Sequence, residues 1–507
     1  MRVLPVFLCF AFFPSLTFAA PKNILLIIAD DYGADASLLY NSTSNGAQLP
    51  PTPNIAALAQ RGVVFANAYA NPVCSPTRAC LITGRHAFRT GVGDAIMAGS
   101  PVLQASEFTL PEALNASGLG YHLAQFGKWH LALGPNTPLT VGGWTNFAGS
   151  IPGAVASYTD WTKTVNGAST ANYTNYATTD VVNDAIGWIQ ARGTNPWLAW
   201  VAFNAAHTPL HKPPASLAPH YASLPGTQFD INNNPANYFD AMIEAMDTEI
   251  GRLLAAVNLT NTHVIFLGDN GTPSGTLQPP YPGGRGKSTL YEGGIKVPLI
   301  IAGPAVTNPN RTNSTLVHAV DLFATILELA GTSVAATVPA NVVVDSRSIV
   351  PALLGATDPS RRVYADLFGD TLLNGQDGRM LRDTRYKLIR FNDGHDEFYD
   401  LQTDAYEGTN LVGALTSDQR QYYDRLQFWL YGYSTNTGPR IASASAANGQ
   451  FSCTLTQAAN YALWRCEDLT TTFWAQVTDA IVTTNGPTVT LTDVSPPATR
   501  AFYRVVK

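Results

Sequence analysis

The stretch Asn23-Ile-Leu-Leu-Ile-Ile-Ala29, followed directly by Asp30 and Asp31, decides the fold of this chain. Its apolar residues run on without polar alternation, which predicts a strand that is buried on both faces, as in a parallel sheet. Two similar runs, Trp197 to Phe203 and His263 to Leu267, occur further along the chain. Polar residues follow each run, so we expect functional groups at the carboxyl ends of several parallel strands.

Helix-like segments separate these strands. They are Asn54 to Arg61, Leu110 to Ser117, Thr179 to Arg192 and Tyr238 to Val257. Strands that alternate with helices imply an α/β fold with helices on both faces of a central, mostly parallel sheet. Ligands of such sheets bind beyond the carboxyl ends of the strands. The polar clusters Asp30-Asp31 and Asp269-Asn270 fall at such ends.

The segment Cys74-Ser-Pro-Thr-Arg78, which continues to Thr83-Gly-Arg85, predicts a helix with a reactive residue at its start. Pro76 suits the first helical turn, where a missing N–H costs little, and Gly84 suits the helix end. Cys74 would then lie at the N-terminus, where free N–H groups and the helix dipole favour an anion. Taken alone, the segment also fits an inert cysteine beside an ordinary helix start.

The clusters Asp30-Asp31 and Asp269-Asn270 offer only oxygen donors. Two adjacent carboxylates at a strand end are unfavourable unless a cation lies between them. Oxygen donors suit a hard cation such as Ca²⁺ rather than zinc. Each cluster alone also fits a helix cap or a turn, so the assignment depends on the two clusters occurring together.

Taken together, these motifs resemble the signature of the sulfatases, over roughly residues 22–432. Three further elements extend the resemblance: Gly127-Lys-Trp-His130, Ala206-His-Thr-Pro209, and Gly286-Lys-Ser-Thr-Leu-Tyr-Glu-Gly-Gly294. The resemblance implies an alkaline-phosphatase-like sandwich with a C-terminal antiparallel α+β subdomain. Residues 142–176, which are rich in Trp, Tyr, Asn and Thr, match no motif of the family.

The resemblance also implies a catalytic and a metal set. The catalytic residues would be Cys74, Arg78, Lys128, His130, His207 and Lys287. The metal ligands would be Asp30, Asp31, Cys74, Asp269 and Asn270. The metal would be one Ca²⁺ ion in preference to Mg²⁺, and a maturation enzyme would oxidise Cys74 to formylglycine. A sulfated diol formed there can collapse to the aldehyde and release sulfate, whereas a sulfated serine would remain a stable ester.

The same resemblance assigns a role to each remaining group. Arg78 would hold the diol, and Lys128 and Lys287 would neutralise sulfate oxygens in the transition state. His207, with Lys287, would assist the leaving group, and His130 would take the proton when the sulfated diol collapses.

The ends and the composition limit the cellular setting. Residues 1–20 resemble a secretory signal peptide, with Arg2 before an apolar run and small residues at the cleavage site, so we expect a secreted or periplasmic protein. No later segment is long and apolar enough to be an integral membrane segment. With a net charge of −6 and 13% charged residues, the chain lacks the basic patch that nucleic acid requires. Cys453 and Cys466 could form a disulfide or remain free thiols, and Cys80 suits a packed thiol.

The chain is long enough for several domains. After the signal peptide we predict a catalytic domain at 21–358 and a C-terminal subdomain at 359–434. The subdomain would contain an antiparallel pair, Arg385 to Phe391 with Glu397 to Leu401, and a helix from Ser417 to Tyr431. Residues 435–450, rich in Ser, Ala, Asn and Gly, predict a linker, and 451–507 predict a small β-sandwich domain.

The sequence therefore predicts a secreted sulfatase that hydrolyses aryl or carbohydrate sulfate monoesters. An alternative is a phosphonate monoester or phosphodiester hydrolase of the same superfamily. A second alternative is a glycan-binding protein whose hydrolase site has decayed, against which the intact Cys74, Arg78, histidines and lysines argue. The expected partners are a sulfated small molecule or glycan and the formylglycine-generating enzyme.

Overall fold

The structure is a computed structural model of the 507-residue chain. It describes residues 22–369 and 376–433, and in the C-terminal part 441–447, 450–455, 462–466, 475–478, 480–485, 488–494 and 502–506. The predicted signal peptide lies outside the described residues. No described helix combines the length and the apolar character that a bilayer crossing requires.

A ten-stranded sheet forms the centre of the fold, in the order β10-β2-β9-β8-β1-β7-β3-β4-β5-β6. Its strands are β1 Asn23–Ala29, β2 Gly62–Tyr69, β3 His122–Lys128, β4 Asn146–Ser150, β5 Trp161–Val165, β6 Ala168–Tyr173, β7 Trp197–Ala202, β8 Thr262–Gly268, β9 Leu299–Ala302 and β10 Arg311–His318. The block β8-β1-β7-β3-β4 is parallel, as is the pair β10-β2. Strand β9 runs antiparallel to both neighbours, and the hairpin β5-β6 adds an antiparallel edge. The predicted mostly parallel sheet is confirmed.

Strand β1 shows why an unbroken apolar run is needed at the centre of the sheet. Ile24, Leu26 and Ile28 lie in one hydrophobic cluster, while Leu25 and Ile27 lie in the cluster on the opposite face. Successive side chains of a strand point to opposite faces, so both faces of β1 must be apolar.

Helices cover both faces of the sheet. The helices of the described chain are α1 Pro53–Gln60, α2 Cys74–Thr83, α3 Ala87–Thr90, α4 Leu110–Ala116, α5 Thr137–Thr140, α6 Ala177–Gln190, α7 Gln228–Asn233, α8 Pro235–Ala255, α9 Glu292–Ile295, α10 Asp321–Leu329, α11 Val334–Thr337, α12 Val350–Leu353 and α13 Ser417–Tyr433. Helices α2, α4 and α10 contribute to the cluster on one face, and α1, α6 and α8 to the cluster on the other. The four helices predicted from periodicity in the catalytic domain are present, with ends that differ by at most three residues.

The C-terminal subdomain contains a four-stranded antiparallel sheet. Its strands are β11 Val363–Leu367, β12 Gly378–Arg382, β13 Tyr386–Phe391 and β14 Asp396–Asp400. Strands β13 and β14 are the predicted antiparallel pair. Leu426 and Leu430 of α13 pack on one face of this sheet, against Leu388 and Phe398.

Two further antiparallel sheets lie beyond α13. Their strands are β15 Ile441–Ala447, β16 Gln450–Leu455, β17 Ala462–Cys466, β18 Ala475–Gln476, β19 Ile481–Asn485, β20 Thr488–Asp493 and β21 Phe502–Val506. One sheet has the order β15-β16-β20-β19 and the other β18-β17-β21. The side chains of Cys453 and Cys466 are outside the described residues, so the alternatives of a disulfide and free thiols both remain.

The linker predicted at 435–450 is wrong over 441–447, which form β15 and pair antiparallel with β16. Composition suggested a linker because small residues dominate the segment. However, Ile441-Ala-Ser-Ala-Ser-Ala-Ala447 places hydroxyl residues at alternating positions, and this period of two also suits a strand.

Candidate active site

The polar clusters meet at one edge of the central sheet. Strands β1 and β8 are parallel neighbours, and their last residues, Ala29 and Gly268, lie opposite each other. Asp30 and Asp31 therefore emerge beside Asp269, and one oxygen atom from each of these carboxylates lies within 4.8 Å of the others. All three side chains are buried. The predicted meeting of the two clusters is thus present in the structure.

Helix α2 places Cys74 and Arg78 against these carboxylates. Cys74 is the first residue of the helix, which ends at Gly84 in a left-handed conformation (φ 68°) that glycine adopts without strain. One turn further on, the Nη2 and Nε atoms of Arg78 donate to Oδ2 of Asp269 at 2.7 and 3.1 Å. The Arg78 Nη1 atom also donates to the carbonyl of Lys128 at 3.0 Å, so the fully buried guanidinium links α2 to β3 and β8.

Two lysines complete the charge balance of the site. Lys128 Nζ lies 2.5 Å from Oδ2 of Asp30, and Lys287 Nζ lies 2.5 Å from Oδ1 of Asp31. With Arg78, these ammonium groups supply three positive charges against the three carboxylates. An anionic group bound alone would add uncompensated negative charge to this balanced site. A divalent cation bound together with the anion would offset that added charge.

The two adjacent carboxyl groups differ in their pKa values. Burial and the nearby Asp269 raise the pKa of Asp30 well above its usual value, although Lys128 opposes this. Burial also acts to raise the pKa of Asp31, but Lys287 and His207 together hold it below the usual value. The protein's own cations thus stabilise the charge of Asp31 better than that of Asp30.

The buried oxygen atoms fit a hard cation. Among the described residues, Oδ1 of Asp30 and Oδ1 of Asn270 are buried without a hydrogen-bond partner. The Asn270 Nδ2 atom donates to Oδ1 of Asp31 at 2.8 Å, which fixes the orientation of the amide and leaves its oxygen as an unused acceptor. A buried unsatisfied acceptor costs about 1–3 kcal/mol, and carboxylate and amide oxygens are ligands that Ca²⁺ accepts. Cys74 was also predicted as a metal ligand, but its Sγ atom is not part of the group of close ligand atoms that Asp30, Asp31 and Asp269 form.

His130 faces the thiol of Cys74. Its Nδ1 lies 3.1 Å from Sγ of Cys74, and its Nε2 lies 3.1 Å from the carbonyl of Ile96. A carbonyl only accepts hydrogen bonds, so Nε2 carries the proton in the neutral ring and Nδ1 presents its lone pair to Cys74. Burial, together with Lys128 and Arg78, lowers the pKa of His130 well below its usual value and keeps the ring neutral.

His207 lies beside the carboxylate of Asp31. Its Nε2 is 4.0 Å from Oδ2 of Asp31, and its Nδ1 is 2.9 Å from the carbonyl of Thr208. Burial lowers the pKa of His207 to about 4, with Lys128 acting in the same direction and Asp31 against it. The ring is therefore neutral near pH 7, with Nδ1–H donating to the Thr208 carbonyl and Nε2 facing the carboxylates.

The sequence did not single out two hydroxyl groups that hold the histidines. Ser75 Oγ donates to the carbonyl of His130 at 2.9 Å and accepts from the N–H of Ile96 at 3.1 Å. Tyr158 donates to the carbonyls of Asn204 and His207 at 2.6 and 2.8 Å. Ser75 lies inside the Cys74 motif and could have been noticed, whereas Tyr158 lies in 142–176, where no motif pointed to it.

A buried ionic network, also missed, holds the segment that contains Lys287. Glu292 lies five residues after Lys287, and its N–H donates to Oε2 of Glu407 at 2.6 Å. Lys387 of β13 bridges the two carboxylates, at 3.1 Å from Glu292 and 2.6 Å from Glu407. Tyr69 also donates to Glu292 at 2.9 Å. The C-terminal subdomain thereby fixes the loop on which Lys287 lies.

We expect Lys387→Met to destabilise the protein by about 3–5 kcal/mol, because it leaves two buried carboxylates without their shared cation. The side chain of Lys387 has no exposed surface, so solvent cannot take its place. Denaturant unfolding followed by fluorescence measures the loss, and the exposed Lys212→Met is the matched control. A loss below about 1 kcal/mol, the size expected for a surface pair, would contradict a structural role for the network.

Known proteins provide an independent comparison. The model of the Sulfatase family matches residues 22–332, and that of the N-sulphoglucosamine sulphohydrolase C-terminal region matches 285–427. A "Sulfatase" of Formosa agariphila is 28% identical, over 82% of this chain and 90% of its own length. The N-acetylgalactosamine-6-sulfatase of Canis lupus familiaris is 30% identical, over 70% of each chain.

Solved structures agree on the fold. The crystal structure of Ps i-CgsB in complex with k-i-k-neocarrahexaose superposes with a TM-score of 0.69 at 24% identity, and covers 81% of this chain and 92% of its own. At this identity the likeness establishes the fold, which is the predicted alkaline-phosphatase-like α/β arrangement. The matching family model covers more than half of the chain, so the chain belongs to the sulfatase family and is a sulfuric ester hydrolase.

Proposed function

We propose that the protein hydrolyses sulfate monoesters of carbohydrates, with formylglycine at position 74 as the reactive residue. The observation that carries this proposal is the position of Cys74, at the N-terminus of α2, with its Sγ atom 3.1 Å from Nδ1 of His130. The names of similar proteins support a carbohydrate substrate. One is an N-acetylgalactosamine-6-sulfatase, and another was solved in complex with k-i-k-neocarrahexaose.

Formylglycine at position 74 would supply a hydrated aldehyde, a nucleophile that each turnover can regenerate. The folded chain buries the cysteine, which is 2% exposed, and all ten residues of α2 are buried with it. A formylglycine-generating enzyme could not reach this thiol in the folded protein. We therefore infer that maturation acts on the chain before it folds.

A divalent cation would be held by Asp30, Asp31, Asp269 and Asn270, with the modified residue 74 as a further ligand. The cation would supply Lewis-acid stabilisation of negative oxygen during attack on sulfur. An all-oxygen donor set with two unused buried acceptors favours Ca²⁺, which takes six to eight oxygen ligands, over Mg²⁺, which keeps several waters.

The remaining groups act around the nucleophile. Lys128 and Lys287 offset negative charge on the sulfate oxygens. Arg78 holds the diol, and its bonds to Asp269 and to the carbonyl of Lys128 fix its position. His130 presents Nδ1 to residue 74 and can take a proton there. The ammonium of Lys287 supplies the proton that the departing alcohol takes up, and neutral His207, whose Nε2 faces Asp31, acts with it by positioning the leaving group.

We also propose that the protein is exported to the periplasm or beyond the cell. Support comes only from the sequence of residues 1–20, with Arg2 before an apolar run. N-terminal sequencing of protein recovered from the medium or periplasm, with a start near Ala20 or Pro21, is the expected result. Intact protein that retains Met1 in the cytoplasm would contradict it.

The function is tested by mass and by turnover. The tryptic peptide that contains residue 74 is expected to be lighter than the cysteine form, since oxygen replaces sulfur and two hydrogens are lost. The modified enzyme is then assayed on sulfated galactose and N-acetylgalactosamine oligosaccharides, an aryl sulfate, and aryl phosphonate esters. Faster turnover of the phosphonates than of every sulfate would favour the phosphonate and phosphodiester alternative instead.

We expect His130→Ala and His207→Ala each to lower kcat by about 10²- to 10⁴-fold, the usual contribution of a positioned acid or base. Both rings are neutral and placed beside charged groups of the site. His395→Ala, at an exposed turn of the C-terminal subdomain, is the matched control and should leave kcat unchanged. Wild-type rates for both site variants would remove the histidines from the mechanism.

A further inference from the structure

A small polar cavity lies between the catalytic domain and the C-terminal subdomain, away from the active site. Its volume is about 60 Å³. The catalytic domain lines it with His86, which follows α2, and with His318, the last residue of β10. The C-terminal subdomain lines it with Arg361 and Arg362 just before β11 and with Tyr433 at the end of α13.

Two imidazoles in the wall of this cavity have unused nitrogen atoms. The residues His86 and His318 are 4% and 2% exposed, and their ring centroids lie 5.2 Å apart. Among the described residues, Nδ1 of His86 and Nε2 of His318 are buried without a hydrogen-bond partner. Buried polar atoms are rarely left unpaired, so their position in a cavity wall points to a bound group.

The tautomer of His318 indicates what kind of group fits. Its Nδ1 accepts the N–H of Val320 at 3.1 Å, so this nitrogen must present a lone pair. Burial lowers the pKa of His318 to about 3, and the ring is therefore neutral. The proton must then lie on Nε2, which makes this atom a donor. A group that accepts a hydrogen bond therefore fits this nitrogen. A metal ion does not fit, because it would have to displace the Nε2 proton.

The charges of the cavity wall also favour an acceptor. Three arginines line it, namely Arg347, Arg361 and Arg362, against two carboxylates, those of Asp321 and Asp345. Both carboxylates are already occupied by cations and N–H groups. Arg361 Nη2 lies 2.5 Å from Asp321, and Arg89 Nε lies 2.8 Å from Asp345. Arg347 is paired with Asp358 and Arg361 with Asp321, so the positive charge that favours an anion over water is that of Arg362, whose guanidinium also stacks on Trp429.

The volume of the cavity matches a small anion. A cavity needs roughly 10–15 Å³ for each water-sized group, so this one has room for about four, the number of oxygens in a tetrahedral oxyanion. A more open cavity of about 280 Å³ shares Arg347 and Arg361 with it. Guanidinium groups match the paired oxygens of sulfate and phosphate.

We propose that this inter-domain cavity, lined by His86, His318, Arg361 and Arg362, binds one tetrahedral oxyanion. The ion accepts from Nε2 of His318 in the catalytic domain and lies beside guanidinium groups of the C-terminal subdomain. It thereby ties the two parts of the enzyme together. Sulfate, the product of the reaction, and phosphate share this chemistry, and the experiment distinguishes the two sources.

The test uses crystals of the full-length protein soaked in selenate, an analogue of sulfate, or in arsenate, an analogue of phosphate. Each gives an anomalous signal at its own absorption edge. We expect a peak in the cavity within hydrogen-bond distance of His318 Nε2, in addition to any peak at the active site. A peak with selenate alone assigns sulfate, a peak with arsenate alone assigns phosphate, and peaks with both assign a general oxyanion site. Water density alone in both soaks would overturn the proposal.

Variants test the lining groups. His86→Phe keeps the ring beside Phe88 and Tyr364 but removes its nitrogens, and Arg362→Gln removes a cation if the first variant does not fold. Either change should reduce the cavity peak to background while the active-site peak persists. Arg420→Gln, at an exposed arginine of α13, is the control and should leave both peaks unchanged. A cavity peak of wild-type height in both lining variants would also overturn the proposal.

Discussion

Cys74→Ala should lower sulfatase turnover by at least about a thousandfold while the protein remains folded, the scale seen when a nucleophile is removed. The side chain is small and contacts His130 through a single hydrogen bond. Its removal leaves α2 with its proline and its Arg78 anchor, so the free energy of unfolding should change little. Steady-state kinetics on the preferred sulfate ester measure the loss, and thermal unfolding measures the fold.

Cys80 provides a matched control on the same helix. It is also a fully buried free cysteine, but its Sγ accepts from Asn71 Nδ2 at 3.1 Å, away from His130. Cys80→Ala removes an equal number of atoms from the core, so the two variants should lose a similar, small part of the stability while Cys80→Ala keeps kcat. Equal activity of the two variants, or a Cys74→Ala enzyme within tenfold of wild type, would remove residue 74 from the mechanism.

Much of the site was accessible from the sequence because its residues lie at element ends that local rules locate. An unbroken apolar run predicts β1, and its end fixes Asp30 and Asp31 at the edge of the sheet. Pro76 and Gly84 bracket α2 and thereby place Cys74 at its first turn. The general rule for ligand sites in parallel sheets placed Asp269 at the same edge, whereas the structure alone shows that β1 and β8 are neighbours.

Contacts between segments distant in sequence were not accessible. Lys387 and Glu407 form hydrogen bonds with Glu292, which lies about 100 residues earlier in the chain. No local sequence pattern predicts a contact between segments so far apart. Tyr158 holds the carbonyl of His207 from a segment without any motif. The strand β15 was missed for another reason: its small residues satisfy both a linker composition and a period of two.

Removal of the proposed Ca²⁺ should lower activity by at least about a hundredfold and also lower the melting temperature. A cation that binds only the folded state stabilises it by about 2.7 kcal/mol at a concentration one hundred times its Kd. Without the cation, Oδ1 of Asp30 and Oδ1 of Asn270 remain buried without a partner, which adds to the loss. Treatment with a chelator, followed by return of Ca²⁺, Mg²⁺ or Zn²⁺, measures activity and unfolding in each state.

Asn270→Ala separates the metal from the charge network. The amide carries no charge, so its removal leaves the pairs Lys128–Asp30 and Lys287–Asp31 and the Arg78–Asp269 contact in place. It removes one proposed ligand atom, and we expect at least a tenfold weaker apparent affinity for Ca²⁺, since even indirect partners of a metal site contribute about 10- to 100-fold. Asp35→Asn is the matched control, because Asp35 is equally buried but binds Thr272 and the N–H of Gln278. An all-oxygen ligand set selects a hard cation, so zinc in the purified active enzyme would contradict this site. Full activity of the metal-free protein, or equal Ca²⁺ affinity in the two variants, would contradict it as well.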